Sequence, residues 1–277
     1  MIGSHLFASG ESLHVSLPAE PLLHVAGIPF TNAMFVGVFS YAIVLGLLFR
    51  VAHNIRAGRV TRLTTAVQWM FEGLLSTIED VVGSKQRARQ IAPLAVTMFI
   101  LILTGYYLGL LPVVGAVRWH GTELFRGGIT DLNFTFSLAI VSMLAVQVFA
   151  IREHGILGNA RRYFVNPLKD PAHSFEGILE LVAEFSRGIA LSFRLFGNVF
   201  AGEVLIAVVA FLAQWFTPLA QPVFLAFELF IGLIQSYVFF MLTVVFIALG
   251  TAKHDSGEHT AAADTAGLAP AGGTKSS

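Results

Sequence analysis

The chain has 277 residues, of which 55% are hydrophobic and only 12% are charged, and its mean hydropathy is +0.74. Soluble domains carry about 25% charged residues, so this composition excludes a soluble globular protein. The absence of cysteine excludes disulfides and iron–sulfur clusters, and a net charge of zero argues against a polyanionic partner such as nucleic acid. The long apolar segments instead predict an all-α integral membrane protein, because the strands of a membrane barrel give short alternating segments.

The first half of the chain predicts two membrane spans and one helix of a different kind. Residues 1–29 hold no lysine or arginine and no long apolar core, so we expect an extracytoplasmic segment rather than a signal peptide. The two spans cover residues 30–52 and 91–111. Between them, residues 62–83 place apolar side chains at helical spacing with polar ones in the gaps, which predicts an amphipathic helix in the membrane interface.

The second half predicts one ordinary span and two helices that are too long to stand upright. The third span covers residues 132–151 and is followed by a polar connection. Residues 173–215 contain no proline, and a helix of these 43 residues would be about 65 Å long, whereas the hydrocarbon core is about 30 Å thick. After a turn at Thr217 and Pro218, residues 219–250 form another over-long segment. We therefore expect residues 173–250 to form a long, strongly tilted hairpin.

The distribution of lysine and arginine predicts the orientation. Residues 50–89 hold seven and residues 152–170 hold four, whereas residues 1–29 hold none and residues 113–130 hold two. Because positive charge concentrates in short cytoplasmic loops, we expect the N-terminus outside, the C-terminus in the cytoplasm, and five membrane-embedded helices besides the interfacial one. The predicted organisation is an extracytoplasmic segment, a membrane domain and a disordered cytoplasmic tail, at residues 1–29, 30–250 and 251–277.

Three polar side chains lie deep in the first of the long helices. Arg194, Asn198 and Glu203 interrupt an apolar run, and a charge at membrane depth costs roughly 2.5–3.5 kcal/mol on insertion scales. Asn198 lies one helical turn beyond Arg194 on the same side, whereas Glu203 points to roughly the opposite face. Since Arg194 has no carboxylate within reach along the sequence, we expect its partner elsewhere, at a functional site.

The last helix carries a second set of polar residues. Glu228 and Gln235 are seven residues apart and share a face. Two deep carboxylates, Glu203 and Glu228, without an equal number of cations are typical of a proton relay. The alternative is that these polar groups pair with one another and only join the helices.

Other charged residues have simpler interpretations. Glu180, Glu184 and Arg187 lie toward the cytoplasmic end, where they could pair with each other and extend to the interface. Asp131 opens the third span, and it either caps that helix or lines a polar entrance.

The motif around the arginine resembles that of a known family. Residues 194–198 read Arg-Leu-Phe-Gly-Asn, and residues 201–203 read Ala-Gly-Glu. This pattern resembles the signature of subunit a of F-type ATP synthases of the bacterial type. The spacing from Glu228 to Gln235, the amphipathic helix, the hairpin and the outside N-terminus are similar as well, over about residues 30–250.

The resemblance implies a stator subunit of the Fo motor that is not catalytic alone and needs no cofactor. Its partners would be the c-subunit ring, the b-subunit peripheral stalk and other FoF1 subunits in the plasma or inner membrane. Arg194 is implied to be the essential coupling arginine that faces the c-ring, with Gln235 close to it. Two offset half-channels would then carry protons to and from the ring.

The resemblance also implies an outer proton path. Asn198, Glu203 and Glu228 match positions that line the outer half-channel, and Asp131 falls near its entrance. Relatives vary at the positions of Glu203 and Glu228. Two close carboxylates would titrate as a coupled pair, so their individual roles stay open.

The residues also argue against two other classes of membrane protein. A secondary transporter or channel could use an intramembrane arginine for an anionic substrate, but such folds often show internal repeats and broken helices, which the sequence lacks. A haem-binding redox protein needs axial ligands within its spans, and none of the nine histidines lies in a span interior.

Overall fold

Six helices form most of the residues that the computed structural model describes, which are 21–25, 28–111, 118–119, 122–123, 127–163 and 171–251. These helices are α1 (Asn32–Arg56), α2 (Arg62–Val82), α3 (Lys85–Gly109), α4 (Leu132–Tyr163), α5 (Pro171–Ala213) and α6 (Thr217–Thr251). Two short antiparallel pairs join β1 (Pro21–Val25) to β2 (Ile28–Thr31) and β3 (Arg118–Trp119) to β4 (Thr122–Glu123). The expectations for residues 1–20 and for the tail from residue 252 onward lie outside the described residues.

Four helical segments within the described part of the chain are long and apolar enough to cross a membrane. They are Val36–Arg56, Lys85–Gly109, Leu132–Asn159 and Phe175–Thr251. The last of these comprises 77 residues and contains most of α5 and all of α6. The helical membrane class is therefore confirmed, whereas the number of crossings and the tilt of the last pair stay predictions.

Helix α2 has the one-sided pattern that its sequence predicts. At its start, the Thr61 side chain accepts a hydrogen bond from the Thr64 amide, and the Thr64 hydroxyl accepts one from the Thr61 amide at 2.8 Å. Gly83 ends the helix in the left-handed conformation, with φ of 70°. Ile78 is fully buried in an apolar cluster with α3, whereas Trp69 is 79% exposed. The exposed apolar residue suits a helix at a lipid surface.

Helix α4 extends beyond its predicted end. The polar connection expected after residue 151 is helical as far as Tyr163, with a break at Gly155, where φ is 73° and ψ is 165°. Beyond the break, Asn159 donates a hydrogen bond to the side-chain oxygen of Gln147 at 2.9 Å. In an unbroken helix these two residues would be about 18 Å apart, so the chain folds back at Gly155. The sequence prediction missed this return, which takes place at a glycine because few other residues adopt such a conformation readily.

The turn between α5 and α6 lies slightly earlier than predicted. A single 3-10 turn, Gln214–Phe216, joins the helices, and Gln214 has a positive φ of 41°. Thr217 and Pro218 begin α6 instead of forming the turn. Proline suits the first turn of a helix, because the amide it lacks would have no partner there.

Close packing between α3 and α6 determines where the polar residues meet. Phe99 of α3 contacts Phe240 of α6 edge to face, with 6.1 Å between ring centroids. Further along, a Cβ on Gly232 of α6 would lie 2.5 Å from the ring of Tyr106 on α3, so only glycine admits that ring. Helices in lipid gain little from apolar burial, and such close contacts supply the attraction between them.

Candidate functional site

Glu228 lies at the centre of the site, on α6. Its side chain is 1% exposed, and the Tyr106 hydroxyl donates a hydrogen bond to Oε2 at 2.7 Å. The other oxygen, Oε1, lies against Gly202 of α5, where a Cβ would come within 1.8 Å. Gly202 therefore lets the carboxylate fit between α5 and α6, and any larger residue there would displace it.

Glu203 shares a small cavity with Glu228. The cavity is lined by the two glutamates, by Tyr106 and by the backbone around Gly127, and it leaves about 20 Å³ for the centres of water molecules. That volume holds about one water, and the carboxylates and the phenol are suitable partners for it. Oε1 of Glu203 would lie 3.7 Å from a Cβ on Gly127, in the segment that precedes α4. The two carboxylates thus line the same small cavity.

Asn198 and Gln235 form a second polar pair between α5 and α6. Asn198 Nδ2 donates to Gln235 Oε1 at 2.6 Å. Gln235 is 3% exposed, and its Nε2 has no hydrogen-bond partner among the described residues. Because Gln235 lies two helical turns after Glu228, about 10 Å along α6, this pair is a separate layer of the same interface.

Arg194 points away from the rest of the chain. Leu191 and Leu195 on either side are buried against the bundle, whereas the arginine is exposed. It makes no hydrogen bond or ion pair to any residue that the structure describes. Asn198, one turn further along α5, is exposed on the same side. The cation therefore lies on an open face of α5, beside the Asn198–Gln235 pair.

Asp131 acts locally at the start of α4. Its Oδ1 accepts a hydrogen bond from the Asn133 amide at 3.0 Å, and its backbone carbonyl accepts from the amides of Phe134 and Thr135. These contacts are those of an N-cap. The neighbouring Thr130, rather than Asp131, lines the cavity.

Two charged residues at the other end of α5, Glu184 and Arg187, contact the neighbouring helices. Glu184 accepts hydrogen bonds from Gln147 and Tyr163 of α4. The guanidinium of Arg187 lies over the Phe246 ring at 5.3 Å and makes a cation–π contact. Glu180 is half-buried one turn before Glu184. This end of α5 is therefore joined to α4 and α6 by polar and aromatic contacts.

The sequence prediction missed Tyr106 and Gly202 as members of the site. Tyr106 reads as an aromatic anchor near the end of a span, and nothing in the sequence relates it to Glu228, which is 122 residues away. Gly202 lies in the recognised motif, but the reason for a glycine there is seen only in the structure, where the Glu228 carboxylate packs against it. Both depend on how α3, α5 and α6 meet.

The fold and the site together define a helical membrane protein that holds ionisable side chains among apolar helices. Residues 34–248 match the profile of a family described as ATP synthase A chain. The chain is 31% identical to the ATP synthase subunit a of Desulforamulus reducens, with 85% of each chain covered. It is 31% identical to that of Mycobacterium bovis over 79% of this chain and 86% of the relative, and 29% identical to that of Acinetobacter baumannii over 85% and 89%.

The chain accordingly belongs to the ATP synthase subunit a family, which confirms the resemblance drawn from the motif. Subunit a is a proton-translocating, multi-pass membrane component of Fo and is not catalytic by itself. It operates with the c-ring and the other FoF1 subunits. The expectations about class, partners and membrane location are confirmed at this level.

Proposed function

We propose that this chain is the stator of the Fo motor and that Arg194 couples proton translocation through two offset half-channels to rotation of the c-ring. The exposed position of Arg194 on α5, without a partner in the described part of the chain, carries this proposal. A cation in an apolar helical region requires a compensating group. A carboxylate that arrives on a rotor helix would supply it.

The surface around Arg194 suits a passing helix. Ala190, Gly197 and Ala201 are exposed along the same side of α5. Small side chains let two transmembrane helices approach closely. Their arrangement around the arginine would allow a rotor carboxylate to reach the guanidinium.

The cavity beside Glu203 and Glu228 would form the inner part of the outer half-channel. It borders the end of α3 and the segment before α4, both of which the charge distribution assigns to the outer side. In this arrangement five helices are embedded in the membrane, α2 lies in the cytoplasmic interface, and α5 and α6 form a tilted hairpin. The N-terminus is then outside and the C-terminus is cytoplasmic.

The order of polar groups along α5 and α6 gives the proposed direction of transfer. A proton from outside enters the cavity and reaches Glu203 and Glu228, and it then passes the Asn198–Gln235 layer to neutralise a rotor carboxylate. The neutral acid can turn into lipid at low cost, whereas its anion cannot. After most of a turn, the acid releases its proton into a cytoplasmic half-channel.

Arg194 would separate the two half-channels. Its positive charge favours the deprotonated rotor carboxylate. Arginine stays protonated in proteins, so it cannot pass a proton directly from one channel to the other. Lysine would be a poor replacement, because its proton is lost more readily on desolvation.

The test replaces Arg194 in the assembled ATP synthase. In Arg194→Ala, proton-driven ATP synthesis should fall to background while passive proton leak through Fo persists. Arg187→Ala is the matched control, since it removes an arginine two turns away that contacts Phe246. Normal ATP synthesis in Arg194→Ala would refute the stator role. Repeating the wild-type assay without sodium should leave synthesis unchanged if the translocated ion is the proton.

A further inference from the structure

Tyr106 connects α3 to the carboxylate of α6 through a buried hydrogen bond. The tyrosine is 3% exposed, its ring lies against Gly232, and its hydroxyl donates to Glu228 Oε2 at 2.7 Å. Both side chains are held by their surroundings, because the glycine contact fixes the ring and the bond fixes the carboxylate. The contact therefore gives Glu228 one defined orientation.

The two glutamates differ in their access to water. Glu203 is half-buried and lies beside Gly127 in the segment before α4. Glu228 is almost fully buried, and its Oε1 faces Gly202, the residue that precedes Glu203 on α5. Oε2 of Glu228 accepts the hydrogen bond from Tyr106. Oε1, which lies against α5, is therefore the oxygen available to a proton that comes from Glu203.

We propose that Tyr106 is a positioning residue that makes Glu228 the inner and Glu203 the outer of two proton carriers acting in series. This assignment rests on the proposed function and deepens it. Glu203 takes up a proton at the cavity and gives it, through water there, to the Glu228 carboxylate. Glu203 returns to its anion and Glu228 becomes the neutral acid, while the Tyr106 O–H bond neither breaks nor forms.

The primary test compares two single-hydroxyl deletions in the intact ATP synthase in membrane vesicles. Tyr106→Phe removes the donor to Glu228 and keeps the ring against Gly232. Tyr107→Phe is the matched control, because its hydroxyl makes no hydrogen bond to the residues that the structure describes. The readout is ATP synthesis driven by an imposed proton gradient, measured over a series of pH values on the outer side.

We expect Tyr106→Phe to displace the midpoint of this pH profile, because the variant removes the hydrogen bond that the Glu228 carboxylate receives. Tyr107→Phe should coincide with the wild type. If both variants superimpose on the wild-type profile, Tyr106 only fills space and the proposal is overturned. Glu228→Asp, which shortens the carboxylate out of reach of the hydroxyl, should reproduce the displacement if Tyr106→Phe fails to assemble.

A double-mutant comparison separates this role from general packing. In the Glu228→Gln background, adding Tyr106→Phe should not change the pH profile of ATP synthesis further. In the Glu203→Gln background it should displace the profile as much as in the wild type, because Tyr106 acts through Glu228 alone. Equal effects in both backgrounds would overturn the positioning role. Wild-type flux in both glutamine variants would instead count against the proposed proton path itself, so the two failures are distinguishable.

Discussion

Glu203 and Glu228 have the same side chain in two different environments. Glu228 is enclosed by Tyr106, Gly202 and neighbouring helices, whereas Glu203 is half-buried at the same cavity. A buried carboxylate is costly when charged unless hydrogen bonds compensate it. The Tyr106 hydroxyl supplies one such bond to Glu228, and a water in the cavity would supply further bonds to both carboxylates.

The roles of the two glutamates can be measured by neutral substitution. Glu203→Gln and Glu228→Gln should each reduce ATP-driven proton pumping about a hundredfold or more, as when proton-transfer groups are removed. The double variant should lose little more, because the two groups are proposed to act in series. Asp80→Asn, at an exposed position on α2, is the control and should pump normally. Wild-type pumping in both single variants and in the double variant would indicate that the glutamates are structural.

At the scale of the helices, sequence periodicity and composition predicted most elements. They did not predict which side chains contact each other between helices. The six helices lie where apolar runs and the amphipathic pattern indicated, and Arg194, Glu203 and Gln235 stand on the faces that helical spacing assigns to them. The meeting of Tyr106 with Glu228 depends on the packing of α3 against α6, which a single sequence does not encode locally. The return of α4 was missed for the same reason.

Gly155 is the residue on which that return depends. Its φ of 73° with ψ of 165° lies in a region that is essentially restricted to glycine, so Gly155→Ala should cost about 1–3 kcal/mol. It should also weaken the contacts of Asn159 with Gln147 and of Tyr163 with Glu184. We expect a lower thermal unfolding temperature for the detergent-solubilised protein, measured by scanning fluorimetry.

Gly46→Ala is the matched control for that measurement. Gly46 lies within α1, and a Cβ there meets nothing within 4 Å, so alanine should be neutral or slightly stabilising. An unfolding temperature in Gly155→Ala equal to that of Gly46→Ala would mean that the chain can turn back without the glycine conformation. The hydrogen bonds beyond the break would then be the cause of the return rather than its result.

At the scale of the whole molecule, polar residues are divided between an inner surface and an open face. Glu228 and Gln235 are buried between helices, whereas Arg194 and Asn198 are exposed on α5. A monomeric membrane protein has little reason to leave an arginine exposed at an apolar surface. The division indicates that the chain is completed by another subunit, in agreement with its membership of a family that operates with the c-ring.

Contact between α5 and another subunit can be tested by cysteine crosslinking, because the chain has no cysteine of its own to interfere. Ala190→Cys and Ala201→Cys place thiols on the exposed side of α5 on either side of Arg194. Each should form an oxidative crosslink with a cysteine introduced beside the carboxylate of a c subunit, detected as a shifted band on non-reducing gels. Leu45→Cys, at an exposed position on α1, is the control and should stay uncrosslinked, because α1 packs against α2 and α3. A crosslink from position 45 with none from positions 190 and 201 would assign the rotor to a different face, and Arg194 would then need another partner.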